Sequence, residues 1–153
     1  MFKPRGGYFL KQWGVFRVVN KRFATALHIL SALAYHEEQT PLNSDLLAQS
    51  INTNPVVVRR ILKKLTQGGI VQTLRGKHGG VRLAKKPSSI RLGEVYDCLH
   101  SRHLISMNEK PPKKDCKVSC SMGKIMEVLS AGVEKSVKGY LNRQSLCDVV
   151  KKI

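Results

Sequence analysis

The sequence has no acidic residue between Leu46 and Gly93, although ten lysines and arginines lie in that stretch. The whole chain of 153 residues carries 27 lysines and arginines against 10 acidic residues, a net charge of +17. A solvated surface usually mixes both signs of charge, so a one-sided stretch indicates a polyanionic partner, with nucleic acid favoured over an anionic membrane.

The sequence also lacks any apolar run of about 18 residues, the length that a membrane-spanning helix needs. Residues 1–18 are basic and aromatic, but charges interrupt them and they have no small-residue cleavage site, so they do not resemble a signal peptide. We therefore expect a cytoplasmic protein without a membrane partner. In that reducing compartment the four cysteines would be free thiols rather than a disulfide framework.

Catalytic patterns are missing as well. The chain has no paired carboxylates, no nucleophile elbow and no phosphate-binding loop, and its five histidines have no evident catalytic partner. The sequence therefore predicts a binding protein with no catalytic residue, not an enzyme.

Apolar residues at helical spacing predict three successive helices near the start of the chain. The first covers about residues 20–36 and the second about residues 43–51. The third follows after a short turn, because Asn54 is a suitable cap and Pro55 favours the first helical position. The glycine pair at 68–69 is expected to end it.

Beyond these glycines the apolar period changes from helical spacing to alternation. Residues 70–75 and 81–85 alternate and flank a glycine-rich tip, which predicts a β-hairpin. A fourth helix is expected over 92–100, a long amphipathic helix from about Ser119, and a short last helix over 145–153.

The long helix is expected to carry a single apolar stripe that must be buried somewhere. Pairing with the same helix of a second chain is the simplest solution, and packing back on its own domain is the alternative. The stripe consists of Met122, Ile125 or Met126, Leu129, Val133, Val137 and Leu141.

Three helices, a β-hairpin and a further helix are, in that order, typical of a winged helix-turn-helix. We therefore expect a mainly α fold with a small β-hairpin. The expected domains are a disordered or arm-like extension (1–18), a winged helix-turn-helix that binds DNA (19–100), a sensor loop (101–118), and a dimerisation helix with a C-terminal helix (119–153).

A winged helix-turn-helix would bind double-stranded DNA through the third predicted helix of this chain and the turn before it. The N-terminal residues of such a helix reach base edges in the major groove, while later basic residues bind phosphates. The wing tip "RGKHGG" adds charge for phosphates or the minor groove, and its glycines would allow close approach. The DNA-binding residues expected from the sequence are Asn52, Thr53, Asn54, Val56, Val57, Arg59, Arg60, Lys63, Arg75, Lys77 and His78, with Lys64 on the same face.

Residues 20–99 and the long helix resemble a family of winged-helix transcriptional regulators that includes IscR, NsrR, CymR and HypR. The most specific part is the run R-G-x-x-G-G-x-x-L-A-x-x-P-x-x-I-x-L from Arg75 to Leu92. The resemblance implies a homodimer with a long dimerisation helix, operator binding and usually repression. One departure is Val81, where relatives usually carry tyrosine.

The cysteines leave several functions open. Many relatives hold an iron–sulfur cluster through three cysteines before the long helix, but here that loop has only Cys116 and Cys120, with three residues between them. A cluster that also uses Cys98, and a zinc site that uses His100 and His103, are alternatives without a matching motif, so no cofactor is predicted.

A thiol switch suits these residues better than a metal site does. Cys120 lies near the expected start of a helix and among lysines, and both features favour the thiolate. We therefore predict redox sensing by Cys120, Cys116 and Cys98, although Cys98 also suits a packing role. The overall prediction is a homodimeric, sequence-specific repressor. A winged-helix module that binds RNA or the ribosome is the rival.

Overall fold

The computed structural model describes residues 21–39, 41–76, 79–99, 111, 113 and 115–153. The extension 1–18 and most of the expected sensor loop lie outside the described residues. The helices and strands are α1 Lys21–Tyr35, a 3-10 turn Glu37–Gln39, α2 Ser44–Ile51, α3 Pro55–Gln67, β1 Val71–Leu74, β2 Gly80–Leu83, a 3-10 turn Pro87–Ser89, α4 Leu92–Leu99, α5 Lys117–Asn142 and α6 Leu146–Val150.

The fold is mainly α with one antiparallel hairpin, as the sequence predicts. Helices α1 to α4 and the hairpin form a unit that we call the head. Its core is a single cluster of apolar side chains contributed by every one of these elements. In α3 the stripe that repeats at helical spacing faces this core, since Val58, Ile61, Leu62 and Leu65 are all buried.

The hairpin is anchored to the head by a third stretch of chain. Leu42 pairs with Val81 through two hydrogen bonds: its N–H donates to the Val81 carbonyl at 3.0 Å, and its carbonyl accepts from Val81 at 2.8 Å. A Cβ on Gly80 would lie 2.7 Å from the Leu42 carbonyl oxygen, so this glycine is needed for contact within the protein. Close approach to DNA was the expected reason for it.

The C-terminal residues return to the head and complete its core. Leu146 has no exposed surface and belongs to the core cluster, while its N–H donates to the Ile90 carbonyl at 2.9 Å. The two stretches of chain form a short antiparallel β-bridge, in which the Leu92 N–H also donates to the Gln144 carbonyl at 3.0 Å. Ser145 and Asp148 form a capping box that begins α6.

Helix α5 has 26 residues, so it is about 39 Å long. It begins at Lys117, earlier than the expected Ser119. The Ser119 hydroxyl does not cap this helix but accepts from the Lys113 N–H at 3.0 Å. Its C-terminal part lies antiparallel to α4, with Lys138 paired to Asp97 at 2.7 Å and Asn142 against Gly93.

The single apolar stripe expected on α5 is two faces in the structure. Met126, Val137 and Leu141 are half-buried on the face that also carries the buried Ser130. The other face is exposed. It consists of Val118, Met122, Ile125, Leu129 and Val133, and we call it the α5 seam. The apolar stripe is wide enough to cover both faces: one packs against the chain's own domain, and the other is exposed in the single chain.

Gly68, which ends α3, allows close contact with α4. A Cβ added there would collide with the sulfur of Cys98. We therefore expect Gly68→Ala to lower the free energy of unfolding by about 1–3 kcal/mol, the usual effect of overpacking. Urea denaturation measures this loss, and Cys98→Ala should restore part of it. A Gly68→Ala variant as stable as the wild type would contradict the contact.

Candidate nucleic-acid interface

The turn between α2 and α3 depends on two asparagines. Asn52 adopts the left-handed conformation, with φ of 53°, and its N–H bonds back to the carbonyl of Gln49 at 3.1 Å. Asn54 caps α3, because its side-chain oxygen accepts from the Val56 N–H at 2.8 Å. Asn52 was expected only as a DNA contact. Its turn-forming role follows from the tolerance of asparagine for this conformation at helix ends.

The outer face of α3 presents apolar groups first and basic groups later. Val56 and Val57 are 47% and 38% exposed although they are apolar. Arg60 and Lys63 are exposed in the following turns and have no acidic partner among the described residues. The structure thus brings these four predicted DNA contacts onto one surface, on which apolar side chains are followed by basic ones.

Arg59 lies on this surface, but its guanidinium is already paired with side chains of the protein itself. Its Nη2 lies 3.0 Å from the Asp45 carboxylate, and its Nε donates to the Ser44 hydroxyl at 3.1 Å. Both partners lie in the first turn of α2. No spacing pattern in the sequence indicates this contact, since the residues are 14 and 15 positions apart and belong to different helices.

The wing carries the second part of the expected interface. Arg75 is exposed at the end of β1, next to the partly exposed Leu74, and Gly76 has a positive φ of 111°. This glycine lets the chain turn where a side chain would be strained. Lys77 and His78, also expected to bind DNA, lie outside the described residues.

Two of the cysteines lie at the beginning of α5. Cys116 occupies the N-cap position in an extended conformation, and its carbonyl accepts from the Cys120 N–H at 3.0 Å. Cys120 is exposed, and its thiol contacts the Lys113 carbonyl at 3.6 Å. The expected placement of Cys120 near a helix start is therefore correct.

Cys98 has a different environment. It is half-buried in α4 and packs against the head core, with its sulfur facing Gly68. Burial raises the pKa of its thiol above the usual value, and the carboxylates of Asp97 and Glu94 raise it further. A raised pKa disfavours the reactive thiolate, so this environment suits packing better than sensing.

Within the part of the chain that the structure describes, no three histidine, cysteine or acidic side chains come together as a metal-binding group. In that same part, no helix is both long enough and apolar enough to cross a membrane. His100 and His103, the expected zinc ligands, lie outside the described residues.

Comparisons with known proteins agree with this architecture. A family model described as Rrf2, iron-dependent transcriptional regulator, matches residues 19–152. YwnA of Bacillus subtilis strain 168, which carries the name of an HTH-type transcriptional regulator, is 34% identical over 134 residues, or 87% of this chain and 97% of YwnA.

Solved structures show the same fold. A crystal structure described as that of a DNA-binding protein has 33% sequence identity and a TM-score of 0.66, and the match covers 84% of this chain and 98% of that one. CymR of Bacillus subtilis, described as its global cysteine regulator, has 20% identity and a TM-score of 0.64 over 88% of this chain and 96% of its own. The relatives are DNA-binding regulators and not enzymes, as the sequence predicts. The chain belongs to the Rrf2 family of winged-helix, DNA-binding transcriptional regulators.

Proposed function

We propose that the protein is a homodimeric repressor that binds a specific operator sequence through α3 and the wing. The observation that carries this proposal is the outer face of α3. There, exposed valines precede basic side chains, in a stretch where Asp45 is the only acidic residue between Glu38 and Glu94. Apolar groups have no use on a surface that binds phosphates alone, whereas valine methyls fit thymine methyls in the major groove.

The proposed contacts divide into two classes. Thr53, Asn54, Val56 and Val57, at the start of α3, would meet base edges and the nearest phosphates. Arg60 and Lys63 would bind phosphates farther along the groove and supply affinity without sequence information. Arg75 on the wing would do the same beside the minor groove.

The α5 seam supports a homodimer. Five apolar side chains are exposed along one face of a long helix, and Leu129 and Ile125 at its centre are 54% and 49% exposed. An exposed apolar strip of this kind indicates an interface. In a twofold dimer it would meet its own copy, and two heads would then be held at a fixed distance for two half-sites.

Repression needs only that the head occupies an operator. Every described α-helix and β-strand belongs to the head, to α5 or to the C-terminal residues that join α5 to the head. We include repression in the proposal because a dimer bound across a promoter would exclude other proteins from the same grooves.

We also propose that Cys120 regulates binding through its redox state. Attack of the Cys120 thiolate on hydrogen peroxide would give a sulfenic acid and hydroxide, which takes up a proton to form water. Condensation of the sulfenic acid with the Cys116 thiol would then give a disulfide and a second water. Either product removes the S–H group that contacts the Lys113 carbonyl. The change would occur at the beginning of α5, the helix that carries the dimer seam.

The expected result is that peroxide-treated protein binds operator duplex more weakly than reduced protein. The reason is that oxidation alters the start of α5 in both copies at once. Titrations of the wild type and of Cys120→Ser, each reduced and oxidised, measure the effect, with Cys147→Ser as the matched control. An unchanged wild-type affinity would remove the switch, and a Cys120→Ser variant that still responds would exclude this thiol.

No metal forms part of this proposal, although the family description includes iron. Cys116 and Cys120 lie one helical turn apart, while Cys98 faces Gly68 inside the head. These three residues do not form a cluster-binding group, and no other such group is present among the described residues. Cys98, Cys116 and Cys120 therefore do not fit an iron–sulfur cluster as three joint ligands of one chain.

Selection from a pool of random duplexes tests the proposed function. The wild-type protein is expected to enrich one sequence with two half-sites related by twofold symmetry. An RNA duplex of the same sequence should compete poorly, since the deep and narrow major groove of A-form RNA does not admit a helix. Equal competition by RNA would favour the rival RNA-binding module.

A further inference from the structure

Asp45 is unusual in its basic surroundings, although an acidic residue suits the first turn of a helix. It is the only carboxylate between Glu38 and Glu94, and it lies in the first turn of α2, beside the interface. A negative charge there repels phosphates, so by itself it weakens DNA binding. Exposed ion pairs also contribute little to stability, and both Asp45 and Arg59 are largely exposed, at 61% and 58%. Neither stability nor simple attraction of DNA explains the pair.

The geometry ties α3 to the start of α2. One guanidinium uses two N–H groups, toward the Asp45 carboxylate at 3.0 Å and the Ser44 hydroxyl at 3.1 Å. The same first turn is fixed from the other side, because the Asn43 side chain accepts from the backbone of Asp45 at 3.1 Å and of Leu46 at 2.8 Å. A planar guanidinium held at two points fixes direction as well as distance.

We propose that Ser44, Asp45 and Arg59 form a clasp that sets the angle of α3 against α2. Arg59 is then a positioning residue, and the clasp replaces the DNA contact that the sequence predicts for it. The clasp determines how well the start of α3 meets base edges, so it acts on sequence specificity. It rests on the proposed function, because it presupposes a specific operator.

A second effect follows from the pairing of opposite charges within the clasp. While Arg59 is paired with Asp45, its positive charge is neutralised within the protein. Phosphate binding is then carried by cations such as Arg60 and Lys63, which have no acidic partner among the described residues. Loss of Asp45 would release Arg59 to bind phosphate anywhere on DNA, which raises nonspecific affinity.

The test compares wild type, Asp45→Asn, Arg59→Gln and the double variant. The probes are the 30-bp duplex that the wild type selects from a random pool and a scrambled duplex of equal composition. Fluorescence anisotropy at several salt concentrations gives the affinity and the salt slope of each protein. Asp97→Asn is the matched control, since Asp97 is equally engaged with Lys138 at 2.7 Å but lies on α4.

Asp45→Asn is expected to bind the selected duplex about five- to tenfold more weakly, within the range of coupling between contacting residues. The same variant should bind the scrambled duplex more tightly than wild type does. Arg59→Gln should lose a similar factor on the selected duplex with an unchanged salt slope. The double variant should be no worse than either single variant, and Asp97→Asn should match wild type.

Two results would overturn the clasp. One is an Asp45→Asn variant that binds both duplexes more tightly, as repulsion alone requires. The other is an Arg59→Gln variant whose salt slope is smaller by about 0.9, the value for one phosphate, which would mean that Arg59 binds DNA directly. Ser44→Ala gives an independent reading, since it removes one arm of the clasp without changing charge and should lower only the affinity for the selected duplex.

Failure of the clasp is distinguishable from failure of the proposed function. If the wild-type protein enriches no duplex over its scrambled version, the proposed function fails and the clasp fails with it. If the wild type is specific but the effects of the Asp45 and Arg59 substitutions on affinity simply add, as for two independent charges, only the clasp fails.

Discussion

A Leu129→Asp variant is expected to be a monomer and to bind operator duplex at least about a hundredfold more weakly than the wild type. Leu129 lies at the centre of the α5 seam and is 54% exposed in the single chain. Full burial of a leucine contributes about 1.5–3 kcal/mol, and the half that is still exposed in each of two copies contributes about 1.5–3 kcal/mol in all. Burial of the two introduced carboxylates adds a further cost, so the dimer dissociation constant should rise by at least roughly two orders of magnitude. Sedimentation velocity and anisotropy measure the two effects.

Ala131→Asp is the matched control for this variant. Ala131 is exposed on α5 two residues away, outside the seam, so it receives the same new charge on a different face. It should remain a dimer with nearly wild-type affinity. Dimers formed equally by both variants would show that the seam is not the interface.

A Leu146→Ala variant is expected to lose about 2–5 kcal/mol of unfolding free energy, the usual range for truncation of a buried leucine. Leu146 is fully buried and belongs to the head core, although it lies more than 40 residues beyond the head in the chain. Its removal leaves a cavity where α6 meets the head. Urea denaturation at one fixed protein concentration measures the loss, because the stability of a protein that dimerises depends on its concentration.

The same C-terminal region provides the control. Ile153 is 72% exposed, so Ile153→Ala should change stability by no more than about 0.5 kcal/mol. A Leu146→Ala variant as stable as Ile153→Ala would contradict the assignment of the C-terminal residues to the head core.

The head was predictable from the sequence because its signals are local. Asn54 and Pro55 mark the start of α3, and the buried stripe of that helix repeats at regular spacing. The change to alternation after residue 69 predicts the hairpin, which the structure contains at Val71–Leu74 and Gly80–Leu83. Caps, turns and periodicity depend on residues that are neighbours in sequence, so they can be recognised from the sequence alone.

The contacts that escaped prediction join distant parts of the chain. The clasp joins residues 14 and 15 positions apart, and Leu146 pairs with Ile90 across more than 50 residues. The division of α5 into a face toward the head and an exposed seam also depends on tertiary packing, since both faces are apolar in sequence. The DNA contacts and the thiol switch remain predictions, as do the repressor and dimer assignments.

The measurement that tests the central claim most directly is the ratio of two affinities of the wild-type protein at one fixed salt concentration. One is for the duplex that the protein selects from a random pool, and the other is for a scrambled duplex of the same composition. A sequence-specific regulator should prefer the selected duplex by about a thousandfold or more. Equal affinities for the two duplexes would contradict specific operator recognition by α3.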